Sequence, residues 1–107
     1  MIRAVRTLTA VRFPPMRRIE RRILRISDEL ERIREQVRLT EEELRIHQHL
    51  DDDARRDAAV GGPIEREDAR ITSGDVARFD RLLASLRSQE AQLEEQRHKL
   101  LKRVDSR

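Results

Sequence analysis

The chain of 107 residues has no cysteine, tryptophan or tyrosine, and only two phenylalanines, three glycines and three prolines. Each shortage removes a class of protein. Without cysteine there is no disulfide scaffold, no thiolate nucleophile and no cysteine-based zinc site. With Phe13 and Phe79 as the only aromatics, the chain lacks the large side chains that dominate compact cores. No apolar run approaches the roughly 18 residues that read as a membrane span. Nucleophile triads and dinucleotide fingerprints are absent too. Gly61-Gly62 follows a helical pattern rather than a strand, so it reads as a terminator and not a phosphate cradle.

What the sequence does have is charge and period. Asp, Glu, Lys and Arg make up 42% of the chain, a composition compatible with disorder. The apolar register argues otherwise. Apolar residues recur every three or four positions from Met16 to Ala58, and again from Val76 to Val104. With Met16, Ile23, Leu30, Val37 and Leu44 at heptad position a, Ile19, Ile26 and Ile33 fall at position d. In the second segment Val76, Leu83 and Val104 take position a, and Phe79, Leu86, Leu93 and Leu100 take position d. A narrow seam repeating about every 3.5 residues is the pattern of a coiled coil.

Proline and glycine set the expected boundaries. Pro14-Pro15 interrupts any helix from upstream, which predicts a first helix over 16–58. Val60-Gly61-Gly62-Pro63 ends it, with the glycines supplying positive φ and the proline forbidding continuation. A turn region over 59–72 follows, with one or two helical turns between Pro63 and Arg70. Thr72-Ser73-Gly74-Asp75 reads as the N-cap of a second helix over 73–105. Residues 1–15 form a basic arm carrying Arg3, Arg6 and Arg12 and no acid. Three readings of the arm stand side by side: a transit peptide, a nucleic-acid-binding arm, or sequence ahead of a true start at Met16.

The expected fold is all-α, an antiparallel two-helix coiled-coil hairpin. Folding near Glu65 would set Ala58 beside Ser73, Ile26 near Asp105 and polar Thr40 in the layer of Glu90, with the first helix overhanging. Leu39, Ile46 and Leu50 form a second stripe beside the seam. A stripe wider than a and d suits a bundle, and a lone hairpin buries little, so two hairpins are expected to dimerise into a four-helix bundle.

A net charge of +3 hides a gradient: residues 1–38 carry +6, residues 39–75 carry −6, and residues 76–107 carry +3. In a hairpin both basic segments meet at the open end, and the acidic segment forms the turn. At the acidic tip, Asp51, Asp52, Asp53 and Asp57 are the candidate partner-binding residues. Consecutive helical residues diverge, so only Asp53 and Asp57 are spaced to share one ion. At the basic end, Arg17, Arg18, Arg21, Arg22 and Arg25 gather on one side of the helix. They suit a protein partner or the phosphates of a nucleic acid, and without aromatics there is no base stacking. His47 occupies a seam position, within reach of Asp51 one turn later; His49 points elsewhere, so the two do not form a metal motif.

A helical hairpin with carboxylates at its tip resembles in architecture the Gre-type transcript-cleavage factors and related secondary-channel regulators of bacterial RNA polymerase. The likeness covers the hairpin. It would imply that Asp51, Asp52, Asp53 and Asp57 reach a catalytic Mg²⁺ inside a polymerase channel. Prefoldin-type and secretion-chaperone hairpins are similar in the same loose sense. The residues themselves point to a non-enzymatic, cytoplasmic interaction protein that self-associates and binds another protein, with nucleic-acid binding through phosphates as an alternative. No cofactor, metal or small-molecule substrate is expected.

Overall fold

A computed structural model describes residues 17–106 of the chain. They form two α-helices, α1 (Arg18–Val60) and α2 (Pro63–Asp105), joined only by Gly61 and Gly62. Each helix has 43 residues and so runs about 65 Å. The two lie against each other as an all-helical hairpin, and neither is long and apolar enough to cross a membrane. Met16 and the arm over 1–15 lie outside the described residues.

Both helix starts are held by a carboxylate three residues in. Glu20 accepts the Arg17 backbone N–H at 3.0 Å, and Glu65 accepts the Gly62 N–H at 2.8 Å. Each answers one of the free amides of a first turn. Pro63 occupies the first turn of α2, where a missing N–H costs nothing. The glycines act differently from expectation. Both are extended, at φ −98° and −104°, so neither supplies a positive φ. Gly61 is demanded by crowding instead: a Cβ there would sit 2.6 Å from Glu65 Cγ and 2.7 Å from the Asp57 carbonyl oxygen.

The seam of α1 runs from Ile19 to Ala58 in steps of four and three without a slip, every position buried or half-buried. The same rhythm runs through α2 from Glu65 to Val104. Ile19, Ile26, Leu30 and Leu100 form the tightest cluster, with Ile23, Leu93 and Val104 packed against it.

This arrangement corrects three expectations. The stretch 63–72 is helix, not turn, and Thr72-Ser73-Gly74-Asp75 lies inside α2 rather than capping it. The seam explains why: Ala69 and Thr72 continue the heptads of Val76 backward, and both are half-buried. The helices are equal in length, so α1 does not overhang. The fold also turns at Gly61-Gly62 rather than near Glu65, which shifts the pairing by about seven residues, one heptad. Ile26 therefore clusters with Leu100, Glu90 accepts a bond from Arg34, and Thr40 lies level with Leu83 to Leu86.

Candidate functional site

The acidic cluster divides. Asp51 is buried on the seam and does not reach the surface as a partner-binding group. Its Oδ1 accepts from Ser73 Oγ at 2.8 Å and lies 2.9 Å from Thr72 Oγ1, while its Oδ2 pairs with Arg55 Nε at 3.0 Å. The Thr72 hydroxyl is also 3.0 Å from the Ala69 carbonyl, so its one proton is shared. The Ser73 bond holds the Asp51 carboxyl below its ordinary value; burial opposes this, and Thr72 and Arg55 add to the lowering. Asp51 thus ties the helices together about two and a half turns from the connection.

Asp52, Asp53 and Asp57 remain exposed. Asp53 pairs with Arg56 at 3.4 Å. With Asp68 of α2 they form an acidic collar interrupted by exposed Arg55, Arg56, Arg66 and Arg70, and the extremity beyond it is aliphatic: Val60 is 91% exposed and Ile64 74%. Asp57 stands one helical turn behind Gly61, about 6 Å back along the axis. Among the described residues no three His, Asp or Glu side chains converge as metal ligands. His47 does not bond to Asp51. Its ring stacks on Phe79 with centroids 4.7 Å apart, and its Nε2 lies 3.8 Å from Glu43.

At the open end the structure brings Arg18, Arg22 and Arg25 to one side, around a shallow groove of about 450 Å³ floored by Ile19 and Leu100. Arg103 of α2 completes it. Sequence reasoning missed Arg103, which a heptad count from Leu100 would have placed on the flank facing Arg22. Arg17 and Arg21 fall on other faces: Arg17 precedes the helix, and its carbonyl accepts the Arg21 N–H at 3.1 Å.

The two broad faces of the hairpin are built differently. In an antiparallel pair the e positions of both helices share one face and the g positions share the other. Three ion pairs cross between the helices among the described residues, and all lie on the e face. Arg34 reaches Glu90 at 3.1 Å and Glu94 at 2.6 Å, and Arg87 reaches Glu41 at 2.9 Å. No ion pair crosses the g face among the described residues. There Glu29, Arg32 and Gln36 of α1 and Gln89, Gln92 and Gln96 of α2 surround a groove of about 360 Å³ over half-buried Ile33 and Leu93. Helical periodicity also places on this side Leu39, Ile46, Leu50 and Val60 of α1 and Ile64, Ile71 and Leu82 of α2, all exposed. On the other side the exposed large aliphatics are Leu24 and Leu101. The readable signal was neutrality: glutamines at 89, 92 and 96, one helical face, in a chain that is 42% charged.

No family model matches the sequence, and comparison with curated proteins and with solved structures finds no match either.

Proposed function

We propose that the chain is a non-enzymatic interaction module: a coiled-coil hairpin that self-associates and meets other proteins on its outer faces. The observation that carries this reading is the unbroken seam. The whole interior, from Ile19 with Val104 to Ala58 with Glu65, goes into holding one helix against the other. Every buried side-chain nitrogen and oxygen among the described residues already has a hydrogen-bond partner. Recognition is left to the outside, where a basic pole, an acidic collar, an aliphatic tip and a broad face crossed by no ion pair among the described residues differ sharply in chemistry. Surfaces of such unlike character suit protein partners, whose interfaces combine apolar centres with complementary charge. Sedimentation velocity of the full chain at micromolar concentration tests the reading. A dimer or larger species supports it; a folded monomer that retains no protein in affinity capture refutes it.

One observation favours a second reading, phosphate binding. Arg18, Arg22, Arg25 and Arg103 converge on one groove with no acid among its lining residues. Four phosphate contacts would weaken binding by about two orders of magnitude between roughly 50 and 200 mM salt. Fluorescence anisotropy with a labelled oligonucleotide measures this, and a flat salt dependence excludes it. Insertion of the tip into an enzyme channel, as in the Gre-type factors, needs a carboxylate at the extremity. Val60 and Ile64 occupy that place, so no specific observation favours it.

A further inference from the structure

The g face carries most of the exposed aliphatics and none of the crossing ion pairs, and it is charged oppositely at its two ends. Arg22 of α1 and Arg103 of α2 lie at the open end; Asp57 and Asp68 lie at the turn. With their long axes aligned, two copies can press this face together about a two-fold axis in only two ways. With the axis along the hairpin, arginine meets arginine and aspartate meets aspartate. With the axis across it, each basic end covers the other copy's acidic collar. Like charges across an interface are unfavourable and complementary ones set register, so the second arrangement wins.

The apolar groups select the same axis independently. Arg22 and Asp57 are each about 26 Å along the helix from the level of Leu39 and Thr40. Ile33, on the groove floor, and Ile46, exposed on the surface, are each about 10 Å from that same level, on opposite sides. A two-fold axis placed there therefore sets Ile46 of one copy over the groove floored by Ile33 and Leu93 of the other, against the aliphatic stem of Arg32, while the charged ends meet. The face is roughly 65 Å long and about two helix diameters wide, some 1,300 Å² per copy, where a stable interface needs about 800 Å² per partner.

We propose that a second copy of this chain docks on the g face, turn against open end, with Ile46 of each copy seated beside Arg32 and Gln36 of its partner, over the groove that Gln89 and Gln92 close. The inference rests on the self-association proposed above and adds its surface, orientation and register.

Two experiments on the full chain separate them. In sedimentation, Ile46→Glu should weaken dimerisation more than about tenfold while circular dichroism keeps its helicity. Leu24→Glu, an equally exposed position on the opposite face, should leave dimerisation unchanged. The chain has no cysteine of its own, so cross-links report orientation cleanly. Arg22→Cys chains mixed with Asp57→Cys chains should oxidise to a mixed disulfide dimer, and Arg22→Cys alone should stay uncross-linked. A dimer that survives Ile46→Glu but not Leu24→Glu, or cross-links through Arg22→Cys alone, overturns this docking and leaves self-association standing. A chain that stays monomeric also overturns it, and the g face then belongs to a different protein; if capture retains no protein, the proposed function fails with it.

Discussion

Gly74 distinguishes one continuous α2 from a helix that begins at residue 73. It lies in the interior of α2, exposed, and a Cβ built on it meets nothing within 4 Å. Replacing it with alanine removes only the conformational freedom of glycine, so Gly74→Ala should stabilise the hairpin by about 0.8–1 kcal/mol. Proline at the same place would lose the amide that bonds back to the Arg70 carbonyl and would drive its ring against that oxygen, costing about 3 kcal/mol or more. Near a helix start the outcomes reverse in character: proline is welcome in the first turn, and alanine gains little. The two variants should therefore differ by about 4 kcal/mol if the helix is continuous. At about 4–8 °C per kcal/mol for a chain of this size, Gly74→Ala should melt about 4–8 °C higher than the parent and Gly74→Pro at least about 12 °C lower. Thermal melts followed by circular dichroism at one fixed protein concentration measure both, which matters because association raises the apparent midpoint. A Gly74→Pro chain that melts with the parent refutes the continuous helix and with it the register drawn from Asp51 and Ser73.

Three further outcomes follow from the same structure. Gly61→Ala should cost about 1–3 kcal/mol, because its Cβ would press on the Asp57 carbonyl and on Glu65; Gly62→Ala, whose nearest contact is 3.6 Å away, should stay within about 0.5 kcal/mol in urea titrations. Leu30 is the one fully buried side chain among the described residues, so Leu30→Ala should cost about 3 kcal/mol with an unchanged denaturant slope. Acid should weaken the hairpin through Asp51: its carboxyl is held low in the folded state, so the unfolded chain binds the proton first. That stability is present above the ordinary aspartate value of 3.8 and disappears as pH falls through the lower folded value. Melting midpoints taken from about pH 6 to about pH 2 should fall less steeply in Asp51→Asn than in the parent; equal slopes would mean that Asp51 is not the buried carboxylate. Glu35 and Glu67, lowered by their bonds to Arg38 and Arg70, act in the same direction and alike in both chains.

The hairpin and its seam were legible because they rest on period alone. Ile19, Ile26, Leu30, Leu44, Leu83, Leu86 and Leu100 announce themselves by spacing, and they are the buried core. The beginning of α2 was not legible. Its first turns place Glu65, Ala69 and Thr72 on the seam, and none of these carries a hydrophobic signal. The hydroxyl–glycine–acid run at 72–75 mimics a cap, because the residue types that answer free amides at a helix start also serve, in the interior, to bond a neighbouring helix. Asp51 was misplaced for a related reason. It sits in a run of three aspartates, and a run suggests a surface. Its seam position was the stronger signal, since position decides burial before composition does.

Register is the deeper difficulty. A heptad seam fits its partner equally well after a slide of seven residues, so aliphatic spacing cannot choose among alignments one heptad apart. The choice must come from groups that do not repeat. Here the open half of the seam is mostly aliphatic, interrupted by Glu90 and Arg97, while Thr40, His47, Asp51, Glu65 and Thr72 crowd the turn half, so most of the specificity resides near the turn. In the observed pairing Asp51 finds the hydroxyls of Thr72 and Ser73. Sliding α2 by one heptad in one direction would bring Asp51 opposite Phe79 and Asp80, an aromatic ring and a like charge. Sliding it the other way would bring Glu65 and Arg66, replacing two hydroxyl donors on the seam with a second carboxylate. The first slide leaves the Asp51 carboxylate facing no donor across the seam, the costliest way to lose a hydrogen bond; the second sets Arg66 beside it but adds Glu65 as a like charge in the same layer. The two-residue connection between Val60 and Pro63 excludes the same slides geometrically, because it has no slack to give. One buried acid and one crowded glycine, Asp51 and Gly61, thus select a single alignment from a series that the leucines and isoleucines leave degenerate.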